Sequence, residues 1–260
     1  YMETTTVYRD EKAGELLGLS RVRSITQDDS HTFCTPDQIE QIYQEIIDVT
    51  KIFYKKMEMK IKARLSFRDP KQPKKYLGET KLWKKAEDIL LSIAKKNNLD
   101  YFVAPGEAAF YGPKIDFMAT DALGREWQLA TPQLDFVQPK RFNLVYTDKD
   151  GKEKTPVMIH FALMGSIERF LSVYIEHTAG SFPVWLSPIQ VSIIPISEKH
   201  LDYANKVAEI LRAQNFRTEI MDQNETLGKK IRGAEMQKIP YLVIVGDKEI
   251  ENQSVSIRQR

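Results

Sequence analysis

The 260 residues are 42% hydrophobic, which allows a buried core, excludes disorder of the whole chain and fits one large or two ordinary domains. Lys plus Arg number 38 against 36 Asp plus Glu, a formal charge of +2, so composition alone calls for no polyanionic partner. The single cysteine, Cys34, excludes a disulfide framework, and no apolar run approaches the roughly 20 residues that cross a bilayer; the expectation is a soluble protein of the cytoplasm with no membrane partner.

The chain opens on the strand-like run Thr4 to Tyr8 and closes on Ser254 to Arg260, which alternates like a strand cut short; with Tyr at position 1, this predicts a fragment. If Arg21 to Phe33 is extended, Arg21, Arg23, Gln27, Asp29 and His31 share one face. The other face carries Ser24, Thr26, Asp28 and Ser30, so patterning does not decide which side is wet. Thr35-Pro36-Asp37 offers a helix cap, and Ile39, Ile42, Ile46, Val49, Ile52 and Phe53 recur at helical spacing, predicting a helix that ends near Lys56. A strand over Lys60 to Phe67, a basic surface loop over Arg68 to Lys75 and a helix from Thr80 to Asn97 follow. Lys114 to Thr120 and Glu126 to Phe136 read as extended runs joined by a turn at Asp121 to Gly124. Val157 to Met164 is strand-like, and Gly165-Ser166 caps a helix to about Glu176.

After Pro183 and Pro188 the pattern becomes a regular alternation: strand Gln190 to Ile196, helix His200 to Gln214, strand Arg217 to Met221, helix Leu227 to Gln237, strand Tyr241 to Val245. That predicts a small, largely parallel sheet covered by helices. The boundary is placed near Leu186, giving domains 1–186 and 187–260.

Two residues stand out from this background. His160 lies in the apolar run Val157 to Leu163, where a lone histidine reads first as a hydrogen-bonded core residue. Arg169 falls in the first turn of the following helix, where the dipole disfavours a cation; an anion shared with the free N–H groups would explain it. The cluster Lys229, Lys230 and Arg232 reads as a solvated helix face.

Taken in order, Tyr8-Arg9-Asp10-Glu11, Gly18 to Arg23 and Thr26-Gln27-Asp28-Asp29-Ser30-His31 resemble motif 2 of the threonyl-tRNA synthetase family of class II aminoacyl-tRNA synthetases. Phe110 to Phe117, Trp127 to Phe136, Met158-Ile159-His160 and the motif-3-like Gly165-Ser166-Ile167-Glu168-Arg169-Phe170 continue the resemblance, and Gly246 to Glu249 with Val255 to Arg258 extend it into the tail. It implies an α+β fold: a class II antiparallel sheet with flanking helices, its N-terminal part missing, then a small α/β anticodon-binding domain truncated at its C-terminal end.

The resemblance also implies roles. Arg9 would hold the α-phosphate, Glu11 and Arg21 would contact ATP, Arg169 would reach the γ-phosphate, and Gln128 and Ser166 would line the nucleotide site, with Arg9 and Arg169 the catalytic pair. Asp29 and Gln133 would hold the amino and hydroxyl groups of threonine, alongside Tyr111, Lys114 and Thr131. His31 and His160 match two of three zinc ligands; the third is a Cys upstream of this chain, and Cys34 is not its match. Asn224, Glu249 and Arg258 would read anticodon bases. The implied activity is threonine-tRNA ligase, with Mg-ATP, threonine and tRNA(Thr) as substrates and a homodimer for the parent enzyme.

One departure from the family is Pro132, where an aliphatic residue is usual; it removes a strand donor beside Gln133. Another class II synthetase, prolyl or seryl, would share the phosphate arginines but not the histidine pair. A synthetase-like tRNA-binding or regulatory protein would not need Arg9, Arg21 and Arg169 together. A hydrolytic zinc enzyme is disfavoured by the lack of a helical H-E-x-x-H spacing.

Overall fold

The apolar alternation and helical spacings fold, in a computed structural model describing residues 1–260, into two units, Tyr1–Tyr174 and Ile175–Arg260. The first contains β1 (Met2–Tyr8), β2 (Ser24–Cys34), α1 (Ile39–Lys56), β3 (Lys60–Phe67), α2 (Thr80–Lys96), β4 (Tyr101–Pro105), β5 (Lys114–Thr120), β6 (Glu126–Gln128), β7 (Thr131–Asp135), the short α3 (Gln138–Arg141), the paired β8 (Tyr146–Thr147) and β9 (Glu153–Lys154), β10 (Val157–Ser166) and all but the last turn of α4 (Ile167–His177). One sheet runs β1-β2-β10-β7-β5-β3-β4, with β6 beside β5. Every pairing is antiparallel except β3 with β4.

Helices α1 and α2 both pack on β3. Their buried stripes, Tyr43, Ile47 and Tyr54 on one and Trp83, Leu90 and Ile93 on the other, recur at helical spacing and bury Ala63 and Leu65 of the sheet. Arg64 and Ser66 alternate to the opposite face, which carries the site described below.

Several expected boundaries shift. The motif 2 strand begins at Ser24, not Arg21, because Gly18–Ser20 forms a 3₁₀ turn and Arg23 Nε is drawn to the Glu11 carbonyl at 2.9 Å. Arg23 therefore leaves the face that Gln27 and Asp29 share. Helix α1 starts at Ile39 because the side chains of Asp37 and Gln38 bond back to Thr35, using up the turn expected to be its first. The run Glu126 to Phe136 is interrupted: Leu129 N–H donates to Phe117 O while Phe117 N–H donates to Ala130 O, two residues against one, a bulge. Strand β4 had no expectation; it is a short edge strand whose middle residues are exposed.

Pro132 is accommodated without loss. Leu134 N–H donates to Pro113 O on the β5 side, so two residues earlier the proline ring faces that same side. There β7 and β5 pair at a single position, Lys114 with Gln133, and no donor is required at 132. The β10 side of Pro132 remains in register with Phe161.

The second unit holds β11 (Val191–Pro195), α5 (Leu201–Ala213), β12 (Thr218–Ile220), α6 (Leu227–Met236), β13 (Tyr241–Val245), α7 (Asp247–Glu251) and β14 (Ser256–Gln259). Its sheet runs β12-β11-β13-β14, parallel except for β14, as the alternation predicts. Ile193, Ala204, Ala208, Val243 and Val245 close one core and Ile194, Ala234 and Leu242 the other, so both faces of the sheet are covered. Helix α7 was not expected; its five residues are too few for a visible period. No helix in the chain is long and apolar enough to cross a membrane.

Gly112 marks where the turn before β5 is pressed onto β7: a Cβ there would lie 1.9 Å from Leu134 O, a backbone atom that cannot swing away. Gly112→Ala should therefore destabilise the first unit by about 1–3 kcal/mol or more and lower the thermal midpoint by several degrees. A midpoint within one degree of wild type would show that this approach does not constrain the fold.

Candidate active site

Strand register assembles the site. His160 of β10 lies opposite His31 of β2 and Gln133 of β7, and Gln133 is in turn opposite Lys114 of β5. In the next row Ala162 separates Asp29 from Thr131. Residues more than 100 positions apart thus share one face of the sheet. A cavity of about 230 Å³ opens over it, bordered by all six residues expected at the nucleotide and by Asp29, Thr131, Gln133 and His160. Tyr111, Lys114 and His31 do not border it, but each meets a residue of this face: Tyr111 bonds Gln133, Lys114 pairs with Asp116 and His31 meets His160.

One end is cationic. Arg21 donates Nε to Glu11 Oε2 at 2.9 Å and brings Nη2 to 2.8 Å, and the Glu11 carboxyl is held below its usual range, chiefly by that hydrogen bond with the charge of Arg21 and Arg9 adding. Arg169 donates Nε to Ser20 O at 2.8 Å. Its burial, together with the charges of Arg9 and Arg21, pushes its pKa down, the mark of three guanidiniums converging with one carboxylate among them. Ser166 Oγ donates to Glu168 Oε2 at 3.0 Å and accepts from the Arg169 N–H at 3.3 Å, fixing the first turn of α4. Such a group is set up to hold a polyanion bidentately.

The floor is built around Asp116, fully buried. Its carboxylate accepts from Arg64 Nη2 at 2.9 Å, Ser66 Oγ at 2.6 Å, Gln128 Nε2 at 2.8 Å and Thr131 Oγ1 at 3.0 Å, with Lys114 Nζ at 3.1 Å. Arg64 Nη2 also donates to Gln128 Oε1 at 2.7 Å, so both ends of the Gln128 amide are fixed. Sequence reasoning missed Arg64 and Asp116. The available signal was a carboxylate inside the apolar run Ile115 to Ala119.

The other end holds the polar residues expected at an amino acid. Tyr111 donates its hydroxyl to Gln133 Oε1, and its phenol is pushed up to about 12 by burial and then by Asp135 and Asp29. His160 Nε2 is 2.9 Å from Asp135 Oδ2, and Asp135 Oδ1 accepts the N–H groups of Val137 and Gln138, so ring and carboxylate are both fixed. The His31 ring meets that of His160 edge-on at 4.8 Å between centroids, and His31 Nε2 lies 3.8 Å from Asp29 Oδ2. The two rings place nitrogen donors side by side, and the chain has no group of three or more His, Cys, Asp or Glu placed to hold a metal. Cys34 sits an odd number of residues from His31 on the same strand and so faces away; burial and then Asp37 push its thiol up to about 11.

In the second unit Glu249 Oε2 accepts from Gly246 N–H and Oε1 from Ser256 Oγ, at 2.9 and 2.7 Å. Arg258, two residues on and therefore on the same face of β14 as Ser256, pairs with Glu235 at 2.6 Å. Asn224 is exposed in the loop before α6, and no hydrogen bond or ion pair joins it to the other two.

This sheet, with arginines from the motif 2 and motif 3 positions converging on one cavity, is the core of a class II synthetase, and the chain belongs to that family: residues 1–178 match the tRNA synthetase class II core domain (G, H, P, S and T), and residues 190–260 match the anticodon binding domain. Within the family it is similar to threonine–tRNA ligases, being 49% identical over 260 residues to that of Flavobacterium johnsoniae and 50% identical over 259 residues to that of Parabacteroides distasonis. All or nearly all of this chain is covered, but it spans 40% of the length of those curated relatives. Among solved structures, the RNA binding domain of threonyl-tRNA synthetase from Cryptosporidium parvum Iowa II superposes with a TM-score of 0.94 at 39% identity, covering 100% of this chain and 64% of that one.

Asp116→Ala would leave Arg64 and Lys114 without their buried counter-charge. A loss of about 3–5 kcal/mol in folding stability is expected, read as a shift of the urea midpoint. A shift equivalent to under 1 kcal/mol would mean that the cluster is solvated and does not hold the floor.

Proposed function

We propose that the chain is part of a threonine-tRNA ligase, its catalytic domain spanning 1–186 and its anticodon-binding domain 187–260. It would activate threonine with Mg-ATP to threonyl-adenylate and pass it to the 3′ end of tRNA(Thr), in the cytoplasm and as a homodimer. The observation that carries this is the single cavity with three guanidiniums at one end and Asp29, Gln133 and His160 at the other: it can hold a polyphosphate and a small polar amino acid side by side.

The chemistry needs no protein nucleophile. The threonine carboxylate attacks the α-phosphorus of ATP and pyrophosphate leaves, so the protein's contribution is alignment and stabilisation of charge on the phosphoryl oxygens. Arg9 holds the α-phosphate and the incoming carboxylate. Arg169, anchored on the Ser20 carbonyl, meets the γ-phosphate, and Arg21 and Glu11 meet the nucleotide. Gln128, fixed at both ends of its amide, and Ser166 border the same nucleotide.

Asp29 takes the substrate ammonium or hydroxyl, and Gln133, oriented by Tyr111, takes the other; Thr131 and Lys114 support them from the Asp116 cluster. Zinc held by His31, His160 and a ligand outside this chain would supply Lewis acidity toward the substrate's amine and hydroxyl. A site that contacts the hydroxyl rejects valine far better than shape alone does, and serine much less.

For the second domain, Asn224, Glu249 and Arg258 are proposed to read unstacked anticodon bases, the carboxylate accepting from a base amino group and the guanidinium donating to guanine. Glu235 would then serve as the resting partner of Arg258.

Two variants in the intact protein test the halves of the catalytic site. Arg169→Ala should cut pyrophosphate exchange about a hundredfold or more, with little change in the KM for threonine. His160→Ala should instead remove bound zinc and threonine activation while the fold survives. A twofold effect of the first, or stoichiometric zinc and normal adenylate formation in the second, would sink the corresponding assignment. Arg258→Ala should lower charging of tRNA by about 1–3 kcal/mol in kcat/KM with adenylate formation nearly intact. Equal loss on wild-type and anticodon-altered tRNA would make it a backbone contact.

A further inference from the structure

The ladder between β10 and β2 is broken at one place: Ala162 pairs with Asp29, and the next matched pair is Ser166 with Gln27. The intervening residues of β10, Leu163, Met164 and Gly165, therefore have no strand opposite to receive their N–H groups. Asp28, the β2 residue between the two matched positions, receives all three. Its Oδ2 accepts from Leu163 and Met164 at 3.0 and 2.9 Å, and its Oδ1 from Gly165 at 2.9 Å.

The same segment is held from other sides. Tyr54 of α1 donates its hydroxyl to Leu163 O at 2.8 Å. Gly165 has φ +74°, and a Cβ there would lie 3.0 Å from Leu129 O. From the far side of the break, Glu168 accepts the Thr26 N–H at 2.9 and 3.0 Å. Asp28 itself is 6% exposed and does not border the cavity; as the neighbour of Gln27 and Asp29 on a strand, it points to the opposite face. Burial raises its pKa, against the opposing effect of the three amide donors.

What this carboxylate fixes is the chain path into α4, and hence Ser166 and Arg169, both at the cavity. Nothing comparable ties it to Gln133, His160 or Tyr111, which belong to β7, the upstream part of β10 and the turn before β5. Resting on the synthetase function proposed above, we propose that Asp28 is a positioning residue for the nucleotide half of the site, setting Ser166 and Arg169 against Arg9 and Arg21 without touching substrate. Charge-assisted bonds to three consecutive amides define the segment's position more narrowly than one neutral bond would, and a displacement of about 1 Å at a reacting group can cost about a hundredfold in rate.

The test is Asp28→Asn in the intact protein, with Asp28→Ser as a smaller replacement that leaves room for water. In Asp28→Asn an amide NH₂ must face at least one of the three N–H groups. Threonine-dependent pyrophosphate exchange should show the ATP KM raised by at least tenfold, with the threonine KM within twofold. Calorimetric titration with a non-hydrolysable ATP analogue should show weakened binding by a protein that is still folded.

The proposal is overturned if both variants keep ATP parameters within twofold, if ATP and threonine parameters change alike, or if neither variant folds, since the residue would then be generally structural. Wild-type protein that binds the analogue but shows no threonine-dependent exchange would overturn the threonine assignment alone, and the analogue affinities would then decide the role of Asp28.

Discussion

The register of β10 between β2 and β7 is the constraint on which the rest depends. A slip of one residue would turn His160 away from His31 and Gln133 and carry Ala162 out from between Asp29 and Thr131, because side chains alternate with a period of two. The register is fixed at its upstream end by buried Val157 and Ile159 and at its downstream end by the break before Ser166. There the strand stops following β2, and two carboxylates, Asp28 and Glu168, receive the backbone donors that the ladder no longer serves.

Hydrogen-bonded carboxylates hold this sheet at several points. Asp28 closes the break in β10, Asp116 gathers the cations and amides of the cavity floor, Asp135 joins the start of α3 to His160, and Asp121 binds Leu123, Arg125 and Trp127 across the β5–β6 turn. Burial would raise the Asp121 pKa, yet it is driven well below the carboxylate range by those bonds. Each is a charged acceptor in a place where a neutral side chain would leave donors unsatisfied. For Asp28, Asp116 and Asp135 the bonds join separate segments of the chain and fix geometry near the cavity.

The cavity separates two kinds of recognition. At the arginine end, Arg9, Arg21 and Arg169 border the cavity and Glu11 pairs with Arg21, so charge dominates. At the histidine end, polar side chains are held by other side chains, Gln133 by Tyr111 and His160 by Asp135, which narrows their positions. The two ends meet through Gln128 and Thr131, both bonded to Asp116.

Periodicity alone determined most of the elements: α2, β3, β5 and β13 fall where apolar spacing puts them, and the strand–helix alternation of the second unit gave a mostly parallel sheet. The ordered motifs singled out these arginines and histidines through their resemblance to a family. Tertiary structure alone decided which of them converge. Arg23 and Arg21 look equivalent in the sequence, but a 3₁₀ turn sends one to the Glu11 carbonyl and the other to its carboxylate. Arg64 lies outside every motif and Asp116 sits inside one with no role assigned to it, since what they do is meet across neighbouring strands. Asp28 and Asp29 are adjacent and identical, yet one faces the cavity and the other holds a strand break; that difference is set by register and by which face the helices cover, quantities that exist only once distant segments have paired.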